Sequence, residues 1–182
     1  MAEDSRRSRR RQRKELASRW RACEQRLSEL DLPAEHDIAK LVEHLGARRN
    51  RPIVLMPIAM QGAEPNSPYG IWIATADVDI IGYEANTSQH HQEHIIAHEL
   101  GHMILCHRGL AQADTNTMRL LFPDLSPDLI RELLQRTTYL DAQEEEAEIM
   151  GSLLMANLVN GAARPPDQPG VLGGLKSALG FR

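Results

Sequence analysis

Apolar residues recur along the chain at two periods, and the change from one to the other outlines the elements. Leu16, Trp20, Cys23, Leu27 and Leu30 are three and four apart, which predicts one stripe of a helix. Ile38, Leu41, Val42 and Leu45 predict a second helix, with Gly46 and Pro52 marking its end. The apolar, partly β-branched run from Ile53 predicts a strand, and Pro57 assigns it to a sheet edge or a break. QGAEPNSPYG (61–70) is loop by composition, and IWIATADVDIIGYEA (71–85) predicts two strands around a tight turn at 75–77.

From about Thr87 the period shifts from two to 3.6. A helix is predicted there, capped by Thr87 or Ser88 and carrying HIIAHELGHMIL (94–105). An irregular stretch follows. Ser126-Pro127 then opens a further predicted helix that runs through PDLIRELLQRTTYL (127–140). A last helix is predicted from an N-cap at Asp141, with acidic first turns, to Gly161. The final twenty residues are rich in Pro and Gly. Helices surrounding a short sheet make an α+β fold the expectation, and 182 residues suit one domain with appendages. Aromatics are only 4% of the chain, so the core must rest on aliphatic residues and Met.

Charge modifies this picture at one place. Residues 6–14, RRSRRRQRK, hold seven positive charges in a chain whose net charge is -4, leaving -11 for the remainder. Such a block is either a solvated, frayed tail or an arm for an anionic partner, with nucleic acid the candidate. Two cysteines, Cys23 and Cys106, exclude a disulfide framework and suit a reducing setting. No apolar h-region follows the basic start, and no apolar run is long enough to span a bilayer. A soluble, cytoplasmic chain with no membrane contact is the expectation.

The chemistry gathers in the fourth predicted element. His98 and His102 are four apart, so a helix projects both imidazoles from one face, where they can meet one Zn²⁺. Glu99, about 100° round the helix, can serve as a base on water without being a ligand. A histidine-rich solvated helix is the competing reading, and Ile95, Ile96, Met103 and Ile104 oppose it. Gly101 leaves space for a substrate or a neighbouring backbone. A catalytic zinc needs a third protein ligand. His94 is expected to be a neighbour only, because three turns in a row do not converge on one ion, and His107 is expected to face elsewhere. Glu144, Glu145, Glu146 and Glu148 compete for the third place. Tyr139 and His107 are candidates for a hydrogen bond that steadies a transition state.

HQEHIIAHELGHMILCH together with EEEAEIMGSLLM resembles the ImmA/IrrE-type zinc metallopeptidases, as do DIAKLVEHLGARRNRPI and the hairpin starting at PYGIWIA. The resemblance covers roughly residues 35–158. It implies a small zincin-like domain over 32–160, flanked by a basic arm and helix at 1–31 and a tail at 161–182. It implies a zinc site of His98, His102 and Glu146, with Glu99 as catalytic base. It also implies restricted cleavage of a helix-turn-helix repressor or similar regulator in a stress, phage or mobile-element setting. Two rival readings remain. One is a non-catalytic module whose structural zinc is closed by Cys106, and the other is a nucleic-acid-binding protein that works through residues 6–14.

Overall fold

The computed structural model describes residues 2–33, 37–58, 69–74, 77–107 and 140–161. Among these the order is α1 (Ala2–Ser28), α2 (Ile38–Arg49), β1 (Ile53–Ile58), β2 (Gly70–Ala74), β3 (Asp79–Glu84), α3 (Gln89–Ile104) and α4 (Asp141–Gly161). This is the mixed α+β arrangement expected. The helix anticipated over 127–140 lies almost wholly outside the described residues.

The sheet has the order β1-β3-β2. β1 runs parallel to β3, pairing Ile53 with Asp79 and Ile58 with Glu84. β2 is antiparallel to β3, pairing Trp72 with Ile81. The hairpin is therefore as the alternation predicts, and Pro57 sits on an edge strand, where a missing N–H costs no ladder bond. Asp79 is fully buried and ties three segments together. Its carboxylate accepts from Trp72 Nε1 at 3.1 Å, Arg49 Nη2 at 3.2 Å and Arg51 Nη1 at 3.5 Å.

Local chemistry sets most helix ends. Ser88 caps α3 by accepting from the His91 N–H. α2 runs past Gly46 and stops at Asn50, a left-handed cap with φ 50°. α4 starts one residue earlier in its capping than expected. Leu140 rather than Asp141 is the capping residue, since the Gln143 side chain accepts from the Leu140 N–H and the Leu140 carbonyl accepts from the Gln143 and Glu144 N–H groups. α1 is helical from residue 2 onward, so the basic block is a helix rather than a frayed coil. Its second half belongs to the core through Trp20, Cys23 and Leu27.

α3 is packed between the sheet and α4. Leu100, Met103, Met150, Leu153 and Leu154 are almost fully buried. Each such side chain contributes about 1.5–3 kcal/mol of transfer free energy. What makes the α3–α4 crossing unusual is its closeness. A Cβ on Gly101 would lie 2.8 Å from the Ala147 carbonyl oxygen and 3.2 Å from the Ala147 Cα. A Cβ on Gly151 would lie 3.1 Å from both the backbone N and the Cα of His98. The two helices thus touch backbone to backbone, with one glycine contributed by each. Gly101 is accordingly spent on a neighbouring helix.

Gly101→Ala should force the helices apart. Overpacking costs about 1–3 kcal/mol, of which the better helix propensity of Ala returns up to about 1. With rigid backbone atoms 2.8 Å and 3.2 Å from the added carbon, the upper part of that range applies and about 1–2 kcal/mol is lost, so the thermal midpoint should fall by roughly 2–8 °C at about 2–4 °C per kcal/mol for a chain of this size. A midpoint at or above that of the unsubstituted chain, read by circular dichroism, would contradict backbone contact at this crossing.

Candidate metal centre

The stretch that carries the chemistry is helical because it is capped at both ends. The start is the Ser88 cap. At the end, Cys106 adopts φ 55°, the His107 N–H donates to the His102 carbonyl at 3.0 Å, and the Cys106 N–H donates to the Met103 carbonyl at 3.2 Å. This is the paired bond pattern of a Schellman cap, here with a cysteine in the left-handed position usually held by glycine. The turn folds His107 back beneath the helix, so it does not face elsewhere.

His98 Nε2 and His102 Nε2 lie 3.0 Å apart. Glu144 Oε2 from α4 lies 3.4 Å from the first and 3.7 Å from the second. These three residues form a group able to hold a metal ion. Ligands at 2.0–2.1 Å in tetrahedral directions around Zn²⁺ lie about 3.3 Å from one another. The three observed separations bracket that value, so the donor set fits a tetrahedral ion with one corner left over.

The expected third ligand, Glu146, is not in this group. Its Oε2 lies 3.3 Å from His107 Nε2, and Oε1 is 3.8 Å from Arg19 Nε on α1. Arg19 also pairs with Glu145. The reason is helical phase. Ala147 and Gly151 face α3, and residues 144 and 148 fall on the same stripe, whereas 145 and 146 are rotated towards α1. Glu148 accordingly reaches His98 Nδ1 at 3.4 Å and His94 Nε2 at 3.5 Å. His94 is a neighbour of the group, as expected.

Both imidazoles are held from behind. His102 Nδ1 lies 3.0 Å from His107 Nδ1, and His107 passes the contact on to Glu146. One proton placement satisfies this chain. His102 Nδ1–H donates to His107 Nδ1, His107 Nε2–H donates to Glu146, and His102 Nε2 keeps its lone pair for the centre. His98 Nδ1–H likewise donates to Glu148. Such outer partners fix the tautomer and ring orientation of ligating histidines. His107 is buried on the far side of His102 and is absent from the walls of the cleft. It therefore cannot steady a reacting group there, and Tyr139 lies outside the described residues.

The electrostatics match a site built for a cation. Burial lowers the His98 pKa, but hydrogen bonds that the imidazole donates to Glu144 and Glu148 outweigh this and raise the value to about 10. Burial lowers that of His102, with Glu144 opposing. Glu144 is held down to about 2 by its bonds to His102 and His98. Metal binding at these residues would compete with protons, so affinity for a cation should fall as pH is lowered.

Glu99 differs in kind. It is 4% exposed, and its Oε2 has no hydrogen-bond partner among the described residues. Burial, and then the charge of Glu144, raise its pKa to about 7 against the opposing pull of His98 and of the Trp72 backbone N–H. Its carboxylate lies against β2, where a Cβ on Gly70 would come within 2.7 Å of Glu99 Oε1. Gly70 and Tyr69 were not singled out in the sequence, yet both line the cleft beside Glu99, His98 and Glu144. The cleft holds about 360 Å³, within the usual range for a binding site. Cys106 is exposed, and its thiol contacts the Ile104 carbonyl rather than the metal group. A closed site with a sulfur ligand therefore has no support.

Comparison of the chain with protein-family profiles, curated proteins and solved structures returned no match.

If His98, His102 and Glu144 hold a divalent metal, removing Glu144 should lower affinity for added zinc by more than about 100-fold. Removing Glu146 should cost about 10–100-fold or less, the range for an outer partner. A chelator competition titration of Glu144→Ala and Glu146→Ala ranks the two. The reverse order would move the third ligand to Glu146.

Proposed function

We propose that this chain is a zinc-dependent peptidase of restricted specificity. The observation that carries the reading is the convergence of His98, His102 and Glu144 at tetrahedral spacing beside a buried carboxylate, Glu99, with an oxygen lacking any hydrogen-bond partner among the described residues. A structural zinc site has no use for that carboxylate. A hydrolytic site needs a base there.

Bound zinc supplies a positive charge that polarises the scissile carbonyl and brings water to a pKa near 7. The remaining work falls to the protein. His98, His102 and Glu144 would hold the ion. His107 and Glu148 keep the two imidazoles turned towards it. Glu99 takes the proton of the attacking water and delivers it to the departing amine, a task suited to a group titrating near neutrality. Burial keeps the Glu99 carboxylate out of bulk solvent, so its charge acts on the reacting centre at low dielectric.

β2 is an edge strand whose inner neighbour is β3, and Glu99 accepts from its Trp72 N–H. An extended peptide laid along this edge would bring a carbonyl next to Glu99. A protein partner that presents such a segment suits so small a cleft better than broad digestion. The resemblance of the histidine helix and the acidic helix to ImmA/IrrE-type enzymes points to a helix-turn-helix repressor as that partner. Free Cys23 and Cys106 agree with a reducing compartment. Among the described residues no helix is long and apolar enough to cross a membrane.

Glu99→Gln should retain zinc and thermal stability but lose roughly 100- to 10,000-fold in turnover, the usual contribution of a general base. A random fluorogenic peptide library, presented to zinc-loaded protein, provides the readout. Equal cleavage by the variant, or no cleavage of any member by the unsubstituted chain, would contradict the proposal.

A further inference from the structure

Residues 6–14 form the exposed flank of α1, ahead of the half that packs into the core. Arg6, Arg7, Arg9, Arg10, Arg11, Arg13 and Lys14 are all exposed. Arg11 pairs with Glu15, and the other six make no ion pair among the described residues. At 100° per residue the seven cations cover an arc of about 200°, with Ser8 and Gln12 on the remaining side. The apolar stripe of Leu16, Trp20, Cys23 and Leu27 is centred roughly 110° away from the middle of that arc. Five of the seven cations are thus rotated off the face that packs into the body, and all seven are displaced along the helix from it.

Helix stability does not explain this arrangement. Arg6–Arg10, Arg7–Arg11, Arg9–Arg13 and Arg10–Lys14 are like-charge pairs four apart, each unfavourable by about 0.2–0.5 kcal/mol. A polyanion removes that penalty.

We infer that the α1 arm is a docking helix for duplex DNA, independent of the hydrolytic site. Nine residues rise about 13 Å, so the arm presents one positive charge per roughly 2 Å, close to the spacing of one negative charge per about 1.7 Å along B-form DNA. The major groove admits a helix and has phosphates on both walls. A 200° arc of cations addresses both walls at once. A flat lipid surface reaches about half of it. A membrane-surface helix also needs an apolar face to bury, and residues 6–15 contain no apolar side chain. The rest of the chain carries -11, so the body is repelled from the duplex while the arm is drawn to it. No base-reading geometry is built into the arm, and the contact is to phosphates without sequence preference.

The test uses the full chain, a fluorescein-labelled 24-base-pair duplex of arbitrary sequence and fluorescence anisotropy. With about five phosphates neutralised, affinity should fall roughly 500-fold between 50 and 200 mM salt. The variant Arg6→Gln, Arg7→Gln, Arg9→Gln, Arg10→Gln should bind at least about 100-fold more weakly, with zinc content unchanged and a thermal midpoint no lower than that of the unsubstituted chain. Phosphatidylcholine vesicles with 30% phosphatidylserine, at the same salt, supply the competing surface. Affinity insensitive to salt, a variant that binds like the unsubstituted chain, or tighter retention by the vesicles than by the duplex would each overturn the inference.

Discussion

The metal group depends on two helices that touch backbone to backbone. Imidazoles four apart on α3 are available on any helix with that spacing. What closes the group is Glu144, and its side chain is short. It reaches His98 and His102 because Gly101 and Gly151 let α3 and α4 approach until only backbone separates them at those two points. Ordinary side chains at either glycine would hold the axes at the 8–10 Å typical of packed helices or beyond. The aliphatic contacts along the same crossing, Leu100, Met103, Met150 and Leu154, then hold the axes at this spacing with free energy that the polar group itself does not supply.

A second layer turns a cluster into a site. Three carboxylates on one turn of α4 are divided among three tasks by helical phase alone. Glu144 faces the imidazole nitrogens that point into the cleft, Glu148 supports His98 from behind, and Glu146 supports His102 through His107. α1 contributes to this division. Arg19 engages Glu145 and Glu146, and the Cys23 thiol contacts the Glu146 carbonyl, so the side of α4 away from the metal group is already occupied. Glu99 stands apart from this network, on the β2 side, buried and with an oxygen that no described residue bonds.

Much of this was legible in the chain, for reasons that differ by element. The hairpin and the edge strand follow from alternation and from Pro57, because a period of two has few other uses. The histidine helix follows from spacing and a serine cap. Which carboxylate joins His98 and His102 is not legible at the step from residue type to helix phase. Four glutamates in five positions cover most of the circumference of α4, and composition does not say which of them faces α3. The signal was present in the pair Ala147 and Gly151, small residues four apart that mark the contact face and place 144 and 148 beside it. The position of His107 was less accessible. It depends on a left-handed Cys106, and cysteine is not a residue that announces such a turn. The helical state of the basic block was likewise hidden, because its like charges argue against a helix that the packed half of α1 nevertheless nucleates.

X-ray absorption at the zinc edge on the zinc-loaded full chain would read the donor set of the group itself. Two imidazole nitrogens and a carboxylate oxygen are expected at about 2.0–2.2 Å, with a further light-atom ligand from solvent and no sulfur. A sulfur shell at about 2.3 Å, or scattering from a single imidazole, would contradict that donor set.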